Sequence, residues 1–185
     1  PLSASGKPLY NHHNFDAWWG SHWSLDILWS MAYPHLMDDF CNTMLDMYRN
    51  GGLIPRGPSG GNYTYVMIGD PAVSFFATAY NKGIRNYDAD LAYEGLRKNA
   101  FPGGIRDHAG YEHSKDAHSG GMEYYIKMGY VPDGRANVVG MHTTGASMTL
   151  EYAYQDWCLA QMAKAMGKQA DYELFFEHSK NYKNL

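Results

Sequence analysis

Leu36–Gly52, LMDDFCNTMLDMYRNGG, decides the fold class. Leu36, Met37, Phe40, Cys41, Met44, Leu45 and Tyr48 recur at steps of three and four, the spacing that puts side chains on one face of an α-helix, and Gly51 and Gly52 supply a C-terminal stop. Upstream, Trp23, Leu25, Ile27, Leu28 and Trp29 predict a buried helix from His22 to Tyr33 that ends before Pro34. Residues 1–14 have Pro, Gly and no period, and read as an extended lead-in. Downstream, residues 51–69 hold too many glycines and prolines for a regular helix and read as a structured loop. Asp70-Pro71 then predicts a capping carboxylate ahead of a helix whose face is Val73, Phe76, Ala77 and Tyr80, up to Gly83. Asp88 starts another helix, ending near Phe101-Pro102.

Residues 102–121 form a second glycine-rich loop, and Met122–Met128 a short helix. After a loop from Pro132 to Gly145, Ala146–Met166 predicts the longest helix, with Leu150, Ala153, Tyr154, Trp157, Cys158, Gln161, Met162 and Ala165 on one stripe and Gly167 as its stop. A last helix spans Gln169–Tyr182. About seven helices and no alternating strand pattern predict an all-α class built of antiparallel helix pairs, closing into a toroid rather than stacking as a solenoid, since no repeat of fixed period is present.

With 45% apolar and 18% charged residues, the 185-residue chain has the balance of a single globular domain. A net charge of −4 with no basic run leaves no electrostatic footprint for nucleic acid. No apolar stretch is long enough for a membrane span. The first residue is Pro1, which reads as a processed or excised chain. Cys41 and Cys158 each fall in an apolar helical pattern and are expected to be small hydrophobes rather than a disulfide.

Three constellations carry chemistry. Asn11–Trp23 crowds His12, His13, Asp16, Trp18, Trp19, His22 and Trp23 into one stretch, a ligand platform or an aromatic clamp that seats the following helix. The loop Leu53–Asp70 holds Arg56, Asn62, Tyr63 and Tyr65 among glycines and prolines, although Asp70 reads as a helix cap. The loop Gly103–Gly121 gathers His108, His113 and His118 with Asp107, Glu112 and Asp116, which suit a metal, a polar ligand or a solvated loop; no zincin spacing is present. No serine-hydrolase elbow, phosphate loop or dinucleotide fingerprint appears. Tyr and Trp, flat and apolar with a polar handle, suit sugar rings as well as cores.

Leu45–Lys98, LDMYRNGGLIPRGPSGGNYTYVMIGDPAVSFFATAYNKGIRNYDADLAYEGLRK, closely resembles the signature stretch of the calcium-dependent exo-α-mannosidases of glycoside hydrolase family 92, and Leu150–Leu185 resembles a later stretch in the same order. The resemblance runs from about Phe15 to the end. It implies that the chain is the N-terminal half of an (α/α)6 toroid, a single all-α segment over residues 1–185. The parent is then a periplasmic or extracellular glycoside hydrolase resembling α-1,2-mannosidases, preceded by a β-sandwich domain. It would release mannose with inversion and use calcium in the full-length enzyme. Inversion needs a protonated acid and a carboxylate base on opposite faces of the sugar. The resemblance places both beyond Leu185, so this segment alone is expected to be inactive.

By the same resemblance Trp18, Trp19, His22, Arg56, Asn62, Tyr63, His108 and His113 are candidates for lining the sugar pocket. The family's Trp-Asp is Trp18-Trp19 here and its Asn-Glu is Asn62-Tyr63, which removes two carboxylate acceptors for sugar hydroxyls. The loop from Gly103 to His118 is also longer than the family's, which implies a divergent branch with a pocket rebuilt by His108, Glu112 or His113. The expected partner is a carbohydrate, with self-association or the remaining half of the domain covering apolar helix faces. The alternatives are a non-catalytic carbohydrate-binding or scaffold module, and a helical bundle that binds a transition metal through its His-rich loop.

Overall fold

The computed structural model describes residues 1–16, 18–65, 67–108, 120–134 and 144–185. Among them are seven α-helices: α1 Leu25–Ala32, α2 Pro34–Gly51, α3 Ala72–Asn81, α4 Ala89–Asn99, α5 Met122–Met128, α6 Gly145–Ala165 and α7 Gln169–His178. No named strand occurs among the described residues. The all-α class stands, and the lead-in differs from expectation in detail. Its first residues turn back on themselves, with Gly6 in the left-handed region (φ 76°) and Leu2 bridged to Pro8.

The period-3.6 face of α2 is the centre of the core. Met37, Phe40, Cys41, Met44 and Leu45 are buried against Val73, Phe75 and Phe76 of α3, Ala92 and Leu96 of α4, and Leu159 and Met162 of α6. Each large apolar side chain buried in this way contributes roughly 1.5–3 kcal/mol. Gly52, at φ 83°, ends α2 as its spacing predicts. Asp88 caps α4 by accepting from Leu91 N at 3.0 Å. α7 folds back along α6, so that Ser179 and Lys180 lie beside Leu150 and Ala153. Cys41 and Cys158 are both buried and unpaired. No helix is long and apolar enough to cross a membrane, among the described residues.

Two expectations fail. The segment His22–Tyr33 is not a buried helix: a 3-10 turn at Ser21–Trp23 leads into α1, and Trp23 and Met31 are 72% and 71% exposed. The α6 stripe is also not uniformly inward, because Leu150 and Trp157 face outward while Tyr152, Gln155 and Asp156 are buried. One and the same physical feature explains both: the described residues leave these faces of α1 and α6 largely open to solvent.

What α1 does bury is Asp26, and neither of its carboxylate oxygens meets a hydrogen-bond donor. Burial raises its pKa to about 6, and the nearby Ser21 hydroxyl offsets this only in part because it donates to the Trp18 carbonyl at 2.8 Å. The folded chain therefore holds the Asp26 proton more tightly than the unfolded one, so stability falls as pH rises from about 4 to about 6 and stays lower above that. Asp26→Asn is expected to raise stability by about 2 kcal/mol at pH 7. The gain should shrink toward zero below pH 4 in urea unfolding; no gain at pH 7 would rule out the buried charge.

Candidate functional site

The loop Leu53–Asp70 is shaped from within. Gly60 and Gly61 have φ of 56° and 75°, a pair of left-handed residues that makes the tight turn joining Ser59 to Asn62. Arg56 is fully buried, and its guanidinium donates to four carbonyls: Nε to Gly69 at 2.8 Å, Nη1 to Thr64 at 3.1 Å, and Nη2 to Ile105 at 2.8 Å and to His108. Its own carbonyl accepts from Trp18 N at 3.0 Å. Main chain and side chain of this one residue thus tie the lead-in, the loop and the turn Ile105–Asp107 into one unit. Burial lowers the Arg56 pKa to about 10, against the opposing pull of Tyr152 and Asp70.

Beneath this clamp lies a buried polar layer. Arg106 Nη1 donates to Asp156 Oδ1 at 2.5 Å, with both side chains at most 1% exposed. The Tyr125 hydroxyl is within reach of Asp156 Oδ2 (2.9 Å) and the His178 carbonyl (3.1 Å), and donates to one at a time. Burial works against the Arg106 charge, but Asp156 and Asp70 together outweigh it and hold the guanidinium above its usual value. Asp70 is not the helix cap the sequence predicts. Pro71 occupies the cap position of α3 without a side-chain bond, and the Asp70 carboxylate turns inward, fully buried. Burial raises its pKa to about 6, although Arg106, Asn99 and Arg56 offset part of the effect.

The candidate residues separate into two kinds. Trp18 and Arg56 are interior. Trp18 is fully buried, stacks on Phe75 at 4.1 Å and donates Nε1 to Met44 Sδ, which leaves no face for a sugar. All the described donors of Arg56 are turned to carbonyls of its own fold. The others reach the surface in two groups joined through that clamp. Trp19 leans on Trp23 with ring centroids 6.3 Å apart, and His22 lies 4.8 Å from Tyr154; burial lowers the His22 pKa and keeps the ring neutral at pH 7. Asn62 is exposed at the turn, and from there Tyr63, Tyr65 and His108 stack in a ladder, with centroids 6.5 and 4.9 Å apart. His113, with Glu112, Asp116 and His118, lies outside the described residues.

Glu151 is a residue the sequence reading passed over. It is a half-buried carboxylate whose pKa is raised by burial, and it accepts from Gln155 Nε2 at 2.8 Å. Gln155 in turn accepts from Asp70 N at 2.7 Å. The one available signal was the spacing of Glu151 and Gln155, a polar pair four apart on one helix. The backbone approaches closely here, because a Cβ on Gly69 (φ 80°) would sit 2.4 Å from Gln155 Nε2.

The lead-in lies on the acidic face of α2. Asn11 donates to Asp39 at 2.9 Å, His13 lies 3.4 Å from Asp39, and His12 lies 4.0 Å from Asp46. Between them and Tyr63 opens a cavity of about 330 Å3. Among the described residues no three His, Cys, Asp or Glu side chains converge as a metal site.

The chain matches the glycosyl hydrolase family 92 catalytic domain over residues 3–185. It is 30% identical over 161 residues to an uncharacterized secreted glycosidase of Arthroderma benhamiae, covering 85% of this chain and 20% of that protein. A family 92 inverting mannosidase from Bacteroides thetaiotaomicron superposes with a TM-score of 0.77 at 27% identity, over 100% of this chain and 25% of that one. A family 92 α-mannosidase from the same bacterium, in complex with mannoimidazole, gives a TM-score of 0.77 at 27% identity, over 97% of this chain and 21% of that one. The chain spans a fifth to a quarter of the length of these relatives.

Proposed function

This chain belongs to glycosyl hydrolase family 92, whose catalytic domain it matches over residues 3–185, and from that premise we propose that the whole protein is an exo-acting, inverting glycoside hydrolase that removes mannose or a related sugar from α-linked glycans. The observation that carries this reading is the family match over residues 3–185; two surface groups are consistent with it, Trp19 with His22 beside Tyr154, and Asn62 with the Tyr63–Tyr65–His108 ladder, and Glu151 on α6 adds a carboxylate. Flat rings stack on the C–H faces of a sugar, while neutral imidazole, amide and carboxylate groups exchange hydrogen bonds with its hydroxyls. In this reading Trp18 and Arg56 support the pocket from behind.

The general acid and base, and the calcium site, are supplied by other parts of the protein. Calcium bound there would polarise the sugar oxygens it touches; the residues of this chain bind and orient the ring. The outer faces of α1 and α6, with Trp23, Ile27, Leu28, Met31 and Trp157 exposed, are covered by the rest of the domain. In this reading the protein acts in the periplasm or outside the cell, which is supported by the description of the Arthroderma benhamiae relative as secreted.

The test is to give the full-length protein an aryl α-mannoside and an α-linked mannobiose and follow the products by proton NMR. We expect free mannose whose first-formed anomer is β, the outcome of inversion. Failure to release a monosaccharide from any α-mannoside or related glycoside would reject the reading.

A further inference from the structure

The geometry points to a second saccharide-binding site in the cavity between the lead-in and the end of α2, one that holds an inner residue of a longer glycan, on the leaving-group side and away from the bond that is cut. The cavity of about 330 Å3 is formed by His12, Asp46, Met47, Asn50 and Tyr63 with the backbone of Gly51 and Gly61. That size falls at the lower end of small-molecule sites, roughly 300–1,000 Å3.

Its chemistry selects a neutral polyol. His12 Nε2 and Asp46 Oδ2 are 4.0 Å apart, beyond a direct hydrogen bond, and their side chains are 44% and 33% exposed, so both keep capacity for a ligand. A carboxylate can accept from two neighbouring hydroxyls, and the imidazole and the Asn50 amide can each give and take one. The Asp46 charge repels an anion, and no third metal-binding side chain joins His12 and Asp46 among the described residues. The apolar wall is Met47 and the ring of Tyr63. The Tyr63 hydroxyl is already occupied, 2.7 Å from the Leu53 carbonyl and 3.3 Å from Leu53 N, so the ring offers a ligand only carbon surface.

Two further features belong to the same place. Tyr63 is seated because Gly51 has no side chain, since a Cβ there would lie 2.3 Å from the Tyr63 hydroxyl oxygen. The Tyr10 hydroxyl is buried without a partner, near enough to Asp46 that the carboxylate adds to the effect of burial in raising its pKa. The ladder from His108 through Tyr65 to Tyr63 ends at this cavity, which gives a glycan held in the main pocket a route to it.

The inference rests on the hydrolase reading for its choice of sugar, and the experiment separates the two. In the full-length protein, kcat/KM is measured for α-linked mannotriose and for 4-nitrophenyl α-mannoside, with wild type, Asp46→Ala, His12→Ala and the shape-conserving Asp46→Asn. The ratio of the first to the second is expected to fall about tenfold in Asp46→Ala, through KM rather than kcat, and less in Asp46→Asn. An unchanged ratio in all three variants overturns the site. Should the protein cleave neither compound, titration calorimetry with mannotriose decides: weaker binding by Asp46→Asn than by wild type keeps the site while the hydrolase reading fails. Equal binding, or none by wild type, overturns it.

Discussion

Arg106→Met is expected to destabilise the chain by about 3–5 kcal/mol, measured as a shift in the urea midpoint. The reason is what it leaves behind. Asp156 is 1% exposed and would be left a buried carboxylate with no cation, helped only by the Tyr125 hydroxyl and by His178, whose Nδ1 lies 3.7 Å away and which burial keeps neutral. Asp70 loses its main electrostatic support in the same stroke. Replacing both partners, Arg106→Met with Asp156→Leu, should recover much of the loss, because a buried ion pair exchanged for apolar groups of similar volume is often close to neutral. Two further signs are expected of the single variant. The His178 imidazole should titrate higher by NMR, since Arg106 is one of the groups that lower it, and the far-UV spectrum should be retained at low denaturant. A single-variant loss below about 1 kcal/mol would mean that water reaches the pair.

Arg56→Lys should cost about 3 kcal/mol despite conserving charge. The guanidinium fork serves four carbonyls on two segments, and an ammonium on a flexible stem cannot span them. At least two carbonyls would be left buried and unpaired, each worth roughly 1–3 kcal/mol. Burial that brings arginine down to about 10 would also press a lysine, which starts about two units lower, toward its neutral form. The loop Leu53–Asp70 and the turn at Ile105–Asp107 would come apart, carrying Tyr63, Tyr65 and His108 with them. In the whole protein, kcat/KM for an aryl α-mannoside is expected to fall at least tenfold, and limited proteolysis should cut first near Gly60. Unchanged cleavage and kinetics would refute the clamp.

Periodic elements were easy to read from the sequence. The α2 stripe, the Asp88 cap and the glycine stops at Gly52 and Gly167 express rules that act within a few residues, and the structure follows them. Asp70 was misread because Asp-Pro before a helix has the same local signature whether or not the carboxylate caps. What turned it inward is Arg106, thirty-six positions away in a loop. Trp18 and Arg56 look like ligand groups by type, yet their partners are main-chain atoms and a methionine sulfur, which no residue pattern announces. Glu151 went unnoticed because its raised pKa comes first from burial, which helix spacing does not reveal. The exposed α1 face had the apolar composition of a buried helix, and composition alone does not tell which protein surface will lie on it.

The carbonyl-only grip of Arg56 bears on how such a pocket changes over generations. Main-chain oxygens at Gly69, Thr64, Ile105 and His108 are supplied by every amino acid, so mutation along the loop leaves the anchor points in place whatever side chains appear on its outer surface. The frame is thus inherited separately from the lining. Asn62, exposed at the turn, is the kind of position such a frame lets change without refolding the loop.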